Sequence, residues 1–256
     1  MAQYWLDIDS FVDGTNLVQE GIFENTTNIE KEPTKKADSL SSHIEVGDGG
    51  DKPGPFTFRY LETPASSIVE VYSIISLPNS FSGNSRSGVS ILEENNSTSA
   101  NIYFGFSELR LRGDYGSEEL ETGSSQATRH VLFRVNSETG DVLAKQWIDG
   151  QEEPSGWGIS NNSSGIPSNL FGGIYADSRH DIWRAFSVGT DGDPAPQKDV
   201  QTVETIEGSL TSPHTAVWTP QDRHVGIVQV TPRFTTEEGN TYEGAPVNFE
   251  VESSGD

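Results

Sequence analysis

The chain has 256 residues, no cysteine, and 39 acidic against 16 basic residues, for a formal net charge of −23. That length suffices for one large core, or for one core and a small second domain. The missing cysteines exclude disulfide staples, thiol catalysis and zinc-thiolate sites, and the negative surface argues against duplex nucleic acid and anionic membranes as partners.

The opening residues Met1 to Asp7 contain no basic cluster and reach an acid early, so no signal peptide is expected. No apolar run approaches the length of a membrane-spanning helix. Residues 1–55 are polar and punctuated, ending in the run Gly47 to Pro55. They read either as an irregular arm or as the first strands of a sandwich. From residue 56 onward, short apolar or alternating runs recur between turn-forming residues, the spacing of a β-sandwich. The runs are Phe56 to Tyr60, Ser67 to Ser76, Gly88 to Leu92, Asn101 to Phe106, Ala127 to Val135, Val142 to Ile148, Leu170 to Ala176 and Ile182 to Val188. These place a sandwich domain at 56–192. Asp191 to Gln197 has linker composition, so 193–200 is read as a linker. Further strand-like runs at 201–206, 214–219, 225–230 and 247–251 predict a small β domain over 201–256.

One stretch carries a resemblance. Val131 to Asn136 leads through a Gly140-Asp141 turn into Leu143-Ala144-Lys145-Gln146-Trp147-Ile148-Asp149-Gly150. Glu153-Pro154-Ser155-Gly156-Trp157, Gly172-Gly173-Ile174-Tyr175-Ala176 and Asp181 to Val188 follow. This order resembles the closing strands of the concanavalin-like, laminin-G-like jelly-roll domains found in structural proteins of tailed viruses. The resemblance implies an all-β antiparallel sandwich. It also implies a structural calcium option near the closing strand, with Asp177 and Asp181 as candidate ligands; Arg184 beside them weakens that case, and no cofactor is required.

Trp147 and Trp157 flank a tight hairpin and read first as packing residues and second as a sugar platform. If a binding site exists at one end of the sandwich, Trp157, Tyr175, Asp177, His180 and Trp183 are its candidates. A glycoside hydrolase would need two facing carboxylates. The acid pairs here, such as Glu118-Glu119 and Glu152-Glu153, are neighbours in sequence and read as solvated turn charges. Arg112-Gly113-Asp114 reads as a strand end and turn, not as an adhesion loop.

The leading expectation is therefore a non-enzymatic virion structural protein of a halophile-infecting tailed virus, sited in the tail, baseplate or a capsid spike. It would be exposed outside the host after assembly in the host cytoplasm. Its partners would be itself, as a homo-oligomer, other virion proteins, and cell-surface glycans, with no nucleic acid and no membrane insertion. Scarce lysine with abundant acid fits molar salt, where the Debye length falls to roughly 3 Å and self-repulsion is screened. A free lectin-like carbohydrate-binding module is the first alternative and a glycoside hydrolase the second.

Overall fold

The computed structural model describes residues 2–26, 32–37, 42–46, 56–76, 87–94, 99–104, 108–121, 128–177 and 181–197, together with the backbone of four strands between 226 and 251. It divides into two units, residues 1–195 and 196–256.

The strands of the first unit begin with β1 (Ala2–Trp5), β2 (Phe23–Asn25), β3 (Thr34–Ala37), β4 (Ser42–Val46) and β5 (Phe56–Tyr60). Next come β6 (Ile68–Ser76), β7 (Ser87–Glu93), β8 (Ser99–Phe104), β9 (Glu108–Gly113) and β10 (Glu118–Glu121). The last are β11 (Arg129–Asn136), β12 (Asp141–Ile148), β13 (Ile159–Asn162), β14 (Leu170–Ala176) and β15 (Asp181–Thr190). Sheet A runs β13-β12-β11-β6-β15-β4-β3, with β1 also paired to β15; sheet B runs β10-β9-β8-β7-β14-β5-β2. All pairings within the two sheets are antiparallel. The expected all-β sandwich is what forms. Residues 1–55, left open between an arm and first strands, supply strands to both sheets.

The second unit contains β16 (Gly226–Val230) paired with β19 (Val247–Val251), and β17 (Arg233–Thr235) paired with β18 (Thr241–Glu243). The sequence-predicted strands at 201–206 and 214–219 lie outside the described residues.

The core lies between the sheets, where every second side chain of each strand points inward. Val69, Val71 and Ile75 of β6, Val131, Phe133 and Val135 of β11, and Val89 and Ile91 of β7 are buried there. Phe23, Tyr60 and Phe186 form an edge-packed aromatic group with centroids 5.3 to 5.7 Å apart.

Strand β15 departs from simple alternation. Its register against β6 shifts between Trp183 and Ala185, leaving Arg184 as the extra residue of a bulge. The bulge changes the parity, so Trp183 joins Phe186 and Val188 inside instead of sharing the outward face of Ala185. Fully buried Trp183 donates its indole N–H to the Gly88 carbonyl, 2.8 Å away on the opposite sheet. The displaced Arg184 donates from Nε to Ser76 Oγ at 2.6 Å.

The outer face of sheet A is also apolar. Tyr72, Ile74, Leu132, Trp147 and Ala185 form a second buried cluster, with Trp5 and Trp157 packed against it. A polar chain threads this cluster. Tyr72 Oη lies 2.7 Å from His130 Nδ1, His130 Nε2 lies 2.9 Å from Asp149 Oδ1, and the His130 ring stacks on Trp147 at 4.9 Å. Because the carboxylate only accepts, a neutral imidazole donates to Asp149 and accepts from the phenol.

The segment leaving β15 is fastened to the same face. The Ala195 N–H donates to Glu70 Oε1 at 3.0 Å, and Gln3 Nε2 donates to the Pro194 carbonyl at 3.0 Å. Gly189 makes room for it, since a Cβ there would stand 2.7 Å from Ala195 N. Burial pushes the Glu70 carboxyl above the usual glutamate range, against the lowering pull of the Ala195 amide and Arg134. A raised folded-state value means the native state holds the proton longer. Stability is then lost as pH rises from the ordinary glutamate range through the raised value. Glu70→Gln keeps an acceptor for Ala195 and removes the buried charge. It is expected to raise the melting temperature by about 2–4 °C near neutral pH, an advantage that vanishes toward pH 4 in a calorimetric pH series.

Candidate functional site

The sequence-predicted site residues do not converge. Trp183 lies between the sheets. Trp157 is half-buried on the outer face of sheet A, with the Lys145 ammonium 5.1 Å from its ring centroid and Lys145 held by Glu153 at 2.5 Å. Tyr175 belongs to the outer face of sheet B, because its neighbours Ile174 and Ala176 point into the core. Trp157 and Tyr175 thus stand on opposite sides of the sandwich. Asp177 follows β14 and is buried, and His180 lies outside the described residues. Asp181 is fully buried and accepts a hydrogen bond from Ser87 Oγ.

The convergent polar groups are instead on the outer face of sheet B. One cross-strand row reads Glu24, Arg59, Gly173, Ser90, Asn101, Arg112 on β2, β5, β14, β7, β8 and β9. The adjacent row reads Thr57, Tyr175, Gly88, Tyr103, Arg110, Glu119. Gly88 sits between the two tyrosines, whose rings close over it and stack at 5.3 Å with an interplanar angle of 21°. Small residues form the buried floor, and partly exposed polar groups form the banks.

The Arg59 guanidinium is clamped. It lies 4.7 Å from the Phe171 ring centroid, pairs with Glu24, and donates through Nη1 to the Glu94 carbonyl at 2.7 Å. Its Nε and the Oδ1 of Asn101 are buried without a hydrogen-bond partner. Such atoms cost roughly 1–3 kcal/mol each when nothing satisfies them. A ligand hydroxyl would relieve the acceptor at Asn101. The sequence reading missed Arg59, Asn101 and Arg112. Their signal is visible only once the register sets them in line.

Glu24 and Glu119, two carboxylates of this face, do not face each other across a cleft. Glu24 and Glu119 occupy the two edge strands β2 and β10, six strand spacings or roughly 29 Å apart. Each is tied to an arginine, Glu24 to Arg59 and Glu119 to Arg110 at 2.8 Å. Glu118 and Glu119, expected in a turn, lie in β10, with Glu119 outward against Arg110. Calcium takes six to eight oxygens. Asp177 and Asp181 alone fall short of that, and among the described residues no group of three or more His, Asp or Glu is placed to hold a metal. Asp114, of the Arg-Gly-Asp tripeptide, is spent locally: its carboxylate accepts from the Ser99 N–H at 2.8 Å.

Neither protein-family models nor curated proteins match this chain. Solved structures do, at low identity. One is a sialidase, matched over 70% of this chain at 10% identity with a TM-score of 0.48, of which this chain spans only 18%. Another is the carbohydrate-binding module CBM66 from Bacillus subtilis, at 9% identity over 66% of this chain and 96% of that one, with a TM-score of 0.44. A third is the exoplasmic domain of VIP36 bound to Ca2+ and Man3GlcNAc, at 8% identity over 73% and 90%, with a TM-score of 0.45.

Proposed function

We propose that the protein is a non-catalytic glycan-binding β-sandwich that uses the outer face of sheet B. The observation that carries this reading is the partnerless Asn101 Oδ1, set between Ser90 and Arg112 in one outer row, with the stacked tyrosine pair in the adjacent row. Fixed polar groups along a row of small residues suit a polyhydroxylated ring.

The finer setting, a virion attachment or contact protein working in high salt, is supported by the sequence pattern over residues 131–188 and the net charge of −23. It makes its own demands. The melting temperature should climb steadily from low to molar KCl as the surface carboxylates are screened; a flat or falling curve removes the high-salt part. Light scattering should find a homo-oligomer, and a monodisperse monomer argues against assembly.

The binding itself is tested on a glycan array in molar KCl. Wild type is expected to retain specific glycans and Asn101→Ala to lose them by about tenfold, with its melting temperature preserved. A protein that retains no glycan overturns the reading. Release of new reducing ends from any bound glycan overturns its non-catalytic part.

A further inference from the structure

We propose that the saccharide taken by this face is acidic, its carboxylate gripped by Arg112 with Arg110 beside it. The inference rests on the glycan-binding reading above and names the ligand class. Both arginines leave β9 on the same outer face, two residues apart, so their Cα atoms stand roughly 7 Å from each other. Arg110 lies between Tyr103 on β8 and Glu119 on β10. Glu119 is half-exposed and faces solvent at the sheet edge.

Arg112 is placed differently. The pairing of β10 stops at Glu118 opposite Leu111, so β10 sets no carboxylate across from Arg112. Its cross-strand neighbour is Asn101 on β8. The site therefore pairs an exposed guanidinium, which only donates, with a buried amide oxygen, which only accepts. A uronic acid offers the complement on one ring: a carboxylate for the guanidinium fork and a ring hydroxyl for the amide oxygen.

The chain's overall charge sharpens the point. At −23 the protein repels anions at long range. In molar salt that field extends only roughly 3 Å. Contact pairing then decides, and a bidentate guanidinium–carboxylate pair acts at contact.

The test uses the full chain in molar KCl. Calorimetric titration compares tetragalacturonate with its fully methyl-esterified, uncharged form. The acid is expected to bind at least about tenfold more tightly than the ester. Arg112→Gln should weaken the acid by about ten- to a hundredfold and the ester far less, so that the preference for the acid is lost. Arg112→Lys, which keeps the charge but loses the fork, should restore only part of the affinity. Equal binding of acid and ester, or an Arg112→Gln protein that still prefers the acid, overturns the acidic class and leaves the glycan reading standing. So does refusal of both probes by a protein that retains neutral glycans on the array. Refusal of every glycan overturns both.

Discussion

Trp183→Ala is expected to destabilise the sandwich by about 3–5 kcal/mol. The side chain is fully buried and fills space between the sheets, and its indole N–H is bonded to the Gly88 carbonyl of the opposite sheet. Removal opens a large cavity and takes away that hydrogen bond. The two losses separate in Trp183→Phe, which keeps most of the ring and loses only the bond to Gly88, a cost of roughly 0.5–1.5 kcal/mol. Urea denaturation in molar KCl measures both. An alanine variant within about 1 kcal/mol of wild type would mean that Trp183 does not sit where the bulge puts it.

Gly88→Ala is the second large effect. A Cβ at this position would stand 2.6 Å from the Tyr103 Cα and closer still to the Ile102 carbonyl oxygen. Both atoms are backbone of β8, so no side chain can turn aside. Strand β8 must move, which loosens its pairing with β7 and parts the tyrosines stacked above Gly88. A loss of about 3 kcal/mol is expected, with a change in the near-ultraviolet tyrosine dichroism that marks the unstacking. Gly150→Ala is the comparison. Gly150 has φ of 81°, and a Cβ there would meet nothing within 4 Å, so only the backbone conformation resists, at roughly 1–2 kcal/mol. If the two alanines cost the same, close approach at Gly88 is not the cause.

The central strands were legible because burial writes itself into sequence as runs of apolar and β-branched residues. Ser67 to Ser76 became β6, Val142 to Ile148 became most of β12, and Leu170 to Ala176 coincides with β14. The edges were not legible. Strand β10 is Glu-Glu-Leu-Glu, and its acids mimic a turn while they serve as an exposed edge opposite Arg110. Strand β9 carries only Leu109 and Leu111 inward, between charged residues that a linear reading assigns to loops. The bulge at Arg184 leaves no composition signal at all, yet it decides which way Trp183 points. The same limit explains the scattered site. Trp157 and Tyr175 are 18 positions apart in the sequence, but the chain crosses from sheet A to sheet B between them. Arg59, Asn101 and Arg112 come from three separate strands, and only pairing register brings them into one row.

Strand β1 lies antiparallel to the final stretch of β15, with Ala2 opposite Thr190 and Trp5 opposite Ser187. Tension applied between those two outer ends would meet the ladder rung by rung rather than all at once. The first strand would peel away like a zip at modest force, while β6, deep in the same sheet, stayed folded as the mechanical anchor.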